Sequence, residues 1–305
     1  MTVDRTGFSL AELLVAMAIA GLCGSAIAVT LNRQQLFYRG AAELHYAREN
    51  VRDAMEVLST DIRGMSVTDT VGLRADSAIE IFANIGSSVV CQISGDEAGL
   101  PSARSSASSL SAFLVEPDTG DIVVFYARFG SGAGVWKQHR IAGFGARALA
   151  SSCPAGSGMS QQAEIDAEGK GFVVTLAAPL ESGITVGSPV RFLRRARYSL
   201  YYASDGRWYL GYRRCNAVGA SACGAIQPVS GPYRAYSADP DASGLLFEYF
   251  DATGQSLAPA SSQLALARVD ITARSESVHQ IPFGIRSNKI SDSATVSLAI
   301  RNVAR

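Results

Sequence analysis

Catalytic chemistry has little to draw on in this chain. It carries three histidines in 305 residues, His45, His139 and His279, and they are scattered. No HExxH, GxSxG or P-loop spacing occurs, so zincin, serine-hydrolase and nucleotide-hydrolysing mechanisms have no motif to rest on. Cysteine is sparse, with five residues, no CxxC and no histidine beside them, which leaves a structural zinc site without a ligand set. A charge excess is missing too. The 27 Lys+Arg balance 27 Asp+Glu, so there is no global attraction to nucleic acid. No tandem repeat of solenoid period is present. No cofactor is implied.

One absence is local. From Leu13 to Asn32 there is no Lys, Arg, Asp, Glu or His. A helix of about 20 residues rises about 30 Å, the thickness of the hydrocarbon core, so this run can span a bilayer. It exceeds the about 7 to 15 apolar residues of a secretory signal peptide and lacks a small-residue cleavage site after it. Glu12 stands at its edge, and a carboxylate at the membrane centre costs about 2.5 to 3.5 kcal/mol on insertion scales. A plain signal anchor whose glutamate snorkels to the headgroups is one reading.

The flanking residues favour another. Gly7, Phe8, Ser9, Leu10, Ala11 and Glu12, followed by Leu13, Leu14, Val15 and Ala16, resemble the leader and first helical turns of type IV prepilins. The resemblance implies cleavage after Gly7 by a prepilin peptidase, N-methylation of Phe8, and a leader of residues 1–7. It implies that Glu12, then the fifth mature residue, meets the terminal amine of a neighbouring subunit during assembly. Ser9 where threonine is commoner, Ala11 where a larger aliphatic is usual, and Asp4 beside Arg5 are the departures. A glycine before the cut also suits extended backbone in a narrow cleft, because it has no Cβ.

Beyond the span the helical pattern continues. Leu44, Ala47, Val51, Ala54, Met55, Leu58, Ile62 and Met65 recur at three- and four-residue steps, with Arg48, Glu49, Arg52, Asp53 and Glu56 between them. No Pro or Gly interrupts 41–63, so one helix is expected to run from the membrane until Gly64. Residues 8–31 read as transmembrane helix, 32–66 as amphipathic stalk and 67–305 as a β-rich periplasmic or extracellular head.

The head changes to period-two patterns. Val190, Phe192, Ala196, Tyr198, Leu200 and Tyr202 share one strand face with a single charged exception, Arg194. Asp205-Gly206 predicts a two-residue type I′ turn, with Arg207 to Arg214 returning. Turn signals at 118–120 and 251–254 predict further hairpins, and alternation marks strands at 267–274 and 294–300. The expected fold is α+β and pilin-like, a long N-terminal helix packed on a mainly antiparallel sheet. Two Ser/Ala/Gly-rich tracts, 94–111 and 151–171, read as exposed loop insertions. The head is either one domain or two closely joined lobes, with a split near 151–171 as one option.

Cys23 lies in the apolar run as a small filler. Cys91, Cys153, Cys215 and Cys223 lie beyond it, where an oxidising compartment favours disulfides. Four thiols allow three connectivities; proximity favours Cys215 with Cys223, leaving Cys91 with Cys153. The Arg191, Arg194, Arg195, Arg197 cluster near Tyr198, Tyr201, Tyr202, Trp208 and Tyr209 invites an anionic ligand, but alternation sends those groups to different faces. Asp239, Asp241 and Ser243 are similar to part of a calcium loop, but Pro240 and the missing later glutamate favour a solvated turn.

Residues 54–63, Gly187-Ser188-Pro189-Val190-Arg191-Phe192 and the closing 296–302 are similar to large minor pilins of the PilW type and to J-type minor pseudopilins of type II secretion, with length favouring the former. The implied partners are prepilin peptidase, other pilins or pseudopilins, an inner-membrane assembly platform and the lipid bilayer, with the chain an assembly component rather than an enzyme. Pilus and pseudopilus remain alternatives, as does a membrane-anchored surface-binding or hydrolytic protein.

Overall fold

The computed structural model describes residues 9–65, 73–103, 110–130, 132, 134–215, 223–258, 265–283 and 286–300. Helix α1 (Leu10–Gly64) is followed by β1 (Ala78–Val89), β2 (Gln92–Ser94), β3 (Glu97–Leu100), β4 (Ala112–Phe113), β5 (Ile122–Ala127) and β6 (Val135–Ala148). Then come α2 (Leu149–Ser152), a 3-10 turn (Ala155–Ser157), α3 (Gln162–Asp166), β7 (Lys170–Leu176), β8 (Pro189–Tyr202), β9 (Trp208–Arg214) and β10 (Gln227–Tyr233). The chain closes with β11 (Leu245–Phe250), β12 (Ser256–Leu257), β13 (Arg268–Glu276), β14 (Ile281–Phe283), β15 (Arg286–Asn288) and β16 (Ser291–Ala299).

Helix α1 is 55 residues long, about 80 Å at 1.5 Å per residue. Its two halves have different surroundings. None of its residues before Ala47 is buried, whereas Ala47, Val51, Ala54, Leu58 and Ile62 are. That stripe follows three- and four-residue steps, so one face lies on the sheet while the first half projects free. Burying a Leu58 or Ile62 side chain stabilises the fold by about 1.5–3 kcal/mol each. The helix is the one element among the described residues long and apolar enough to cross a membrane. It stops at Gly64, where Met65 turns to extended backbone and its N–H reaches back to the Ile62 carbonyl.

Among the described residues, 14 strands join one antiparallel sheet. Its spine is the β1–β8 pair, in register from Ala78 opposite Ser199 to Val89 opposite Pro189, with one irregularity between Asn84 and Gly86. Two cores lie along this ribbon. The first joins Val51, Ala54, Leu58 and Ile62 of α1 to Ile79 and Ile81 of β1, Ala196, Tyr198 and Leu200 of β8, and residues of β9, β10, β11, β13 and β16. The second joins Ile85, Val190 and Phe192 to residues of β3, β5, β6 and β7, and contains no residue of α1. The end of α1 lies level with the division, since a Cβ on Gly64 would stand 3.7 Å from the Asn84 Cβ.

The division does not fall at 151–171. Among the described residues, the distal lobe is built from the chain between 85 and 193, inserted between the two halves of the β1–β8 ribbon, with its core drawn from Ile85 to Phe192 past the level where α1 ends. Strand β6 closes it: 135–140 pair with β5, and from Ile141 onward it pairs with β7, with one irregularity between Ile141 and Gly143.

Three local expectations change. Tyr202 pairs with Trp208, so the β8–β9 loop has five residues rather than two, with Ala203 N–H bonded to Arg207 O and the Asp205 carboxylate accepting the Arg207 N–H. The turn at 118–120 does not close a hairpin, because β4 pairs with β1. The Ser/Gly-rich tracts are not simply exposed loops. Within 94–111 lies β3, with Ala98 and Leu100 fully buried, and 151–171 contains the end of α2, the 3-10 turn and α3. Glycine makes that packing possible, because a Cβ on Gly99 would fall 2.0 Å from Ser152 O and one on Gly171 2.2 Å from Ser152 Oγ.

Candidate functional site

Gly7 and Phe8 lie outside the described residues. Glu12 lies in the first turn of α1, exposed like the apolar residues that follow it. Its carboxylate is not bare. Oε2 accepts the Ser9 backbone N–H at 2.9 Å, and Ser9 Oγ accepts the Glu12 N–H at 3.3 Å. This reciprocal capping box satisfies two donors that a helix start leaves open, and puts a negative group at the positive end of the helix dipole. Ser9 is thus a site residue that reading by family pattern treats only as a departure; the S-x-x-E spacing is the signal that finds it. Leu10, Leu13, Leu14, Met17 and Leu22 follow with more than half of their surface exposed. A long apolar surface with one locally satisfied carboxylate at its tip is suited to insertion in lipid and to lateral contact with other helices.

Polar clamps fix the second half of α1 to the head. Tyr198 Oη donates to Asp61 at 2.5 Å, Tyr233 Oη to the Asn50 carbonyl at 2.6 Å, and Glu43 accepts the Val278 N–H at 3.1 Å beside His279 Nδ1 at 2.8 Å. Burial raises the Asp61 carboxyl above the ordinary carboxylate range, opposed by the bond from Tyr198. Burial, and then the Asp61 charge, push the Tyr198 phenol up. The second half of α1 is thus held to the head at three levels, two on the sheet and one on the segment after β13.

The arginine cluster is used inside the head. Arg194, the charged exception on the apolar face of β8, donates to both oxygens of buried Asp121, closest at 2.6 Å, and to the Glu116 carbonyl at 3.1 Å. It sits between the two cores, since Phe192 belongs to one and Ala196 to the other. Arg214 adds bonds to Asp118 at 3.0 Å and to Asp121 at 3.3 Å. On the opposite face the buried Glu80 carboxylate takes Arg195 on one oxygen and Arg197 on the other, the latter at 2.7 Å. Arg191 lies over the Trp136 ring, 4.8 Å from its centroid.

The structure joins Cys91 to Cys153 and Cys215 to Cys223, while Cys23 is free and exposed on α1. Cys91–Cys153 ties the α2 segment to the sheet of the distal lobe. Cys215–Cys223 clips the end of β9 beside Glu80. With both sulfurs in a disulfide and Glu80 held by two guanidiniums, that trio lacks the free thiolates a zinc site uses. The Asp239–Ser243 segment is a self-satisfied turn, with the Asp239 carboxylate accepting the Asp241 N–H.

Residues 4–28 match a family model described as the prokaryotic N-terminal methylation motif. No curated protein and no solved structure matches the chain.

Proposed function

We propose that this chain, a type IV prepilin-like protein by its N-terminal methylation motif, is a minor pilin placed at or near the tip of a type IV pilus. In this reading prepilin peptidase cuts between Gly7 and Phe8 and methylates Phe8, residues 8–31 remain in the inner membrane, 32–66 form the stalk, and the head stands in the periplasm until extrusion. The chain is an assembly component and not an enzyme; the chemistry at its N-terminus belongs to the peptidase. Glu12 leaves its bond to Ser9 to meet the amine of a neighbouring subunit, and the capping box keeps that carboxylate satisfied until the exchange.

The observation that carries the tip position is the distal lobe. Described residues between Ile85 and Phe192 build a second core beyond the end of α1, a bulk suited to a subunit with nothing stacked above it. A protein that primes a filament or presents a binding head tolerates such a lobe, whereas a repeating shaft subunit does not.

Mass spectrometry and localisation test this together. Sheared filaments are expected to contain the protein as a minor component that begins at N-methylated Phe8, with Glu12→Ala leaving the head folded but reducing incorporation. Retention of residues 1–7 in cells with active peptidase would overturn the prepilin mechanism. Absence from surface filaments together with loss of protein secretion on gene deletion would move the protein to a type II secretion pseudopilus.

A further inference from the structure

Resting on that reading, we infer that the free edge of β16 docks an extended strand from a different pilin-like subunit anchored in the same membrane. Long bare edges are templates for another strand, and natural sheets blunt them by shortness, proline, lysine or bulges. The terminal strands β12, β4 and β2 follow that rule with two, two and three residues, and the side of β1 that β8 leaves open is interrupted by an irregularity at Asn84–Gly86 and lined almost wholly by buried residues. Strand β16 has nine, reading SDSATVSLA, with no proline, glycine or lysine. Its register on β13 runs unbroken from Arg268 opposite Ala299 to Glu276 opposite Ser291, and β13 is its single partner among the described strands.

The hydrogen-bond phase says which groups face outward. Ile300 N–H donates to Ala267 O at 2.9 Å and Ser277 N–H to Ile290 O at 2.7 Å, both on the same register. Even-numbered residues therefore exchange bonds with β13, and Ser291, Ser293, Thr295, Ser297 and Ala299 turn their N–H and C=O groups to the open side. All five are exposed, as is Ala294. The one charge on the strand, Asp292, is held 3.8 Å from Arg48 of α1 and does not guard that edge.

Orientation identifies the occupant. Strand β16 starts beside Arg48, and its far end pairs through Val269 with Tyr249, whose hydroxyl reaches the Ala75 and Ala78 carbonyls at the start of β1, next to Ile79, the partner of the Tyr198 that bonds Asp61 near the end of α1. It therefore runs with the helix, away from the membrane. Antiparallel pairing of β16 with β16 of a second copy would invert one of the two membrane helices, and the parallel pairing that keeps both upright is the less stable kind per residue, so the better complement for neighbours in one bilayer is an antiparallel strand of another subunit's head. Recognition rests on main-chain bonds, with small or β-branched residues suited to the Ser/Thr row.

Residue-resolved hydrogen exchange on the full-length protein, first in detergent micelles and then in filaments, tests the inference. The Ser293, Thr295 and Ser297 amides are expected to exchange freely in micelles and to gain at least about ten-fold protection in filaments, while Ala294 and Val296 are protected in both. Thr295→Pro removes an outward donor and no main-chain bond to β13, and gives up the 2.9 Å contact between the Thr295 and Thr272 hydroxyls, so it is expected to lower the melting temperature by only a few degrees and keep Phe8 methylation but lower incorporation about five-fold or more. Thr295→Lys, which keeps the backbone intact, is expected to do the same and serves if the proline variant is unstable. Normal incorporation of a folded Thr295 variant, or free exchange of the odd amides in filaments, overturns the inference. So does protection of those amides in micelles that rises with protein concentration, which would make a second copy the partner. An unmethylated wild-type protein would instead refute the pilin reading from which the partner class comes.

Discussion

The two lobes of the head solve the same packing problem with different resources. The proximal core closes over α1, which supplies Val51, Ala54, Leu58 and Ile62 as one ready-made apolar face. The distal core has no helix to lean on. It concentrates aromatic rings instead, with Phe113 standing 5.5, 5.2 and 5.4 Å from Phe144, Phe172 and Phe192. Such edge contacts add about 0.5–1.5 kcal/mol each beyond area burial. It also carries the disulfide with the longer span, 62 residues against 8 for the proximal one. An insertion far from the organising helix thus gains its order from dense aromatic packing and a long covalent loop. Each lobe also has its own tryptophan, Trp136 on β6 and Trp208 on β9, so each can be followed separately in the Trp208→Phe or Trp136→Phe background.

The largest effect is expected where the lobes meet. Asp121→Ala leaves Arg194, 8% exposed, as an uncompensated buried charge. Removing one partner of such a pair costs about 3–5 kcal/mol, whereas replacing both by apolar residues is often neutral. Urea unfolding should show that loss in Asp121→Ala, with the Trp136 and Trp208 transitions separating, and substantial recovery in Asp121→Ala/Arg194→Met. A single unshifted transition in Asp121→Ala would mean that the pair does not couple the cores.

That pair also marks where reading the sequence stops. The helix was legible because its stripe repeats every three to four residues, and β8, β13 and β16 because their alternation is local. Arg194 stood out as the one charge on an apolar face, but Asp121 lies 73 residues away and no local pattern joins them. The five-residue β8–β9 loop escaped because Asp-Gly favours a two-residue turn without fixing where pairing resumes. The distal lobe escaped for a similar reason. Its boundaries at 85 and 193 fall inside two strands that are continuous in sequence, while β3 and α3 lie within tracts whose composition reads as loop. At the candidate site the spacing of Gly7, Phe8 and Glu12 is short-range and carries the match to the methylation motif, while Gly7 and Phe8 lie outside the described residues and their roles belong to the proposed function. The free edge of β16 was not legible, since an edge exists only once the sheet order is known.

The disulfides sharpen the comparison at intermediate size. Cys91→Ser/Cys153→Ser should destabilise by about 2–4 kcal/mol, because a long loop is released in the unfolded chain. The loss should appear in the Trp136 transition and leave Trp208 nearly unmoved, since Cys91, Cys153 and Leu149 form a cluster outside the proximal core. Cys215→Ser/Cys223→Ser opens a shorter loop and should cost less, by the Trp208 signal. Equal losses at both tryptophans in the first variant would show that the lobes fold as one unit.

Acid separates the lobes by the smallest increment and in opposite senses. His139 lies in the distal lobe, buried beside Phe125, with Nε2 lacking a hydrogen-bond partner. Burial lowers its pKa, opposed by the Glu181 carboxylate, which itself holds Lys137 at 2.9 Å. A depressed histidine contributes stability that is complete above its unfolded value of about 6.5 and is lost as pH falls through that value toward the folded one. Asp61, in the proximal lobe, is raised, so its contribution is complete below the unfolded value of about 3.9 and is lost as pH rises through the folded one. Between pH 7 and 5 the Trp136 transition should therefore weaken relative to Trp208, by at most about 1.4 kcal/mol per pH unit for a single group. His139→Phe keeps a ring against Phe125 and removes the proton site, so it should flatten the Trp136 dependence and leave Trp208 as it was. The same acid slope in His139→Phe would assign the sensitivity to another group.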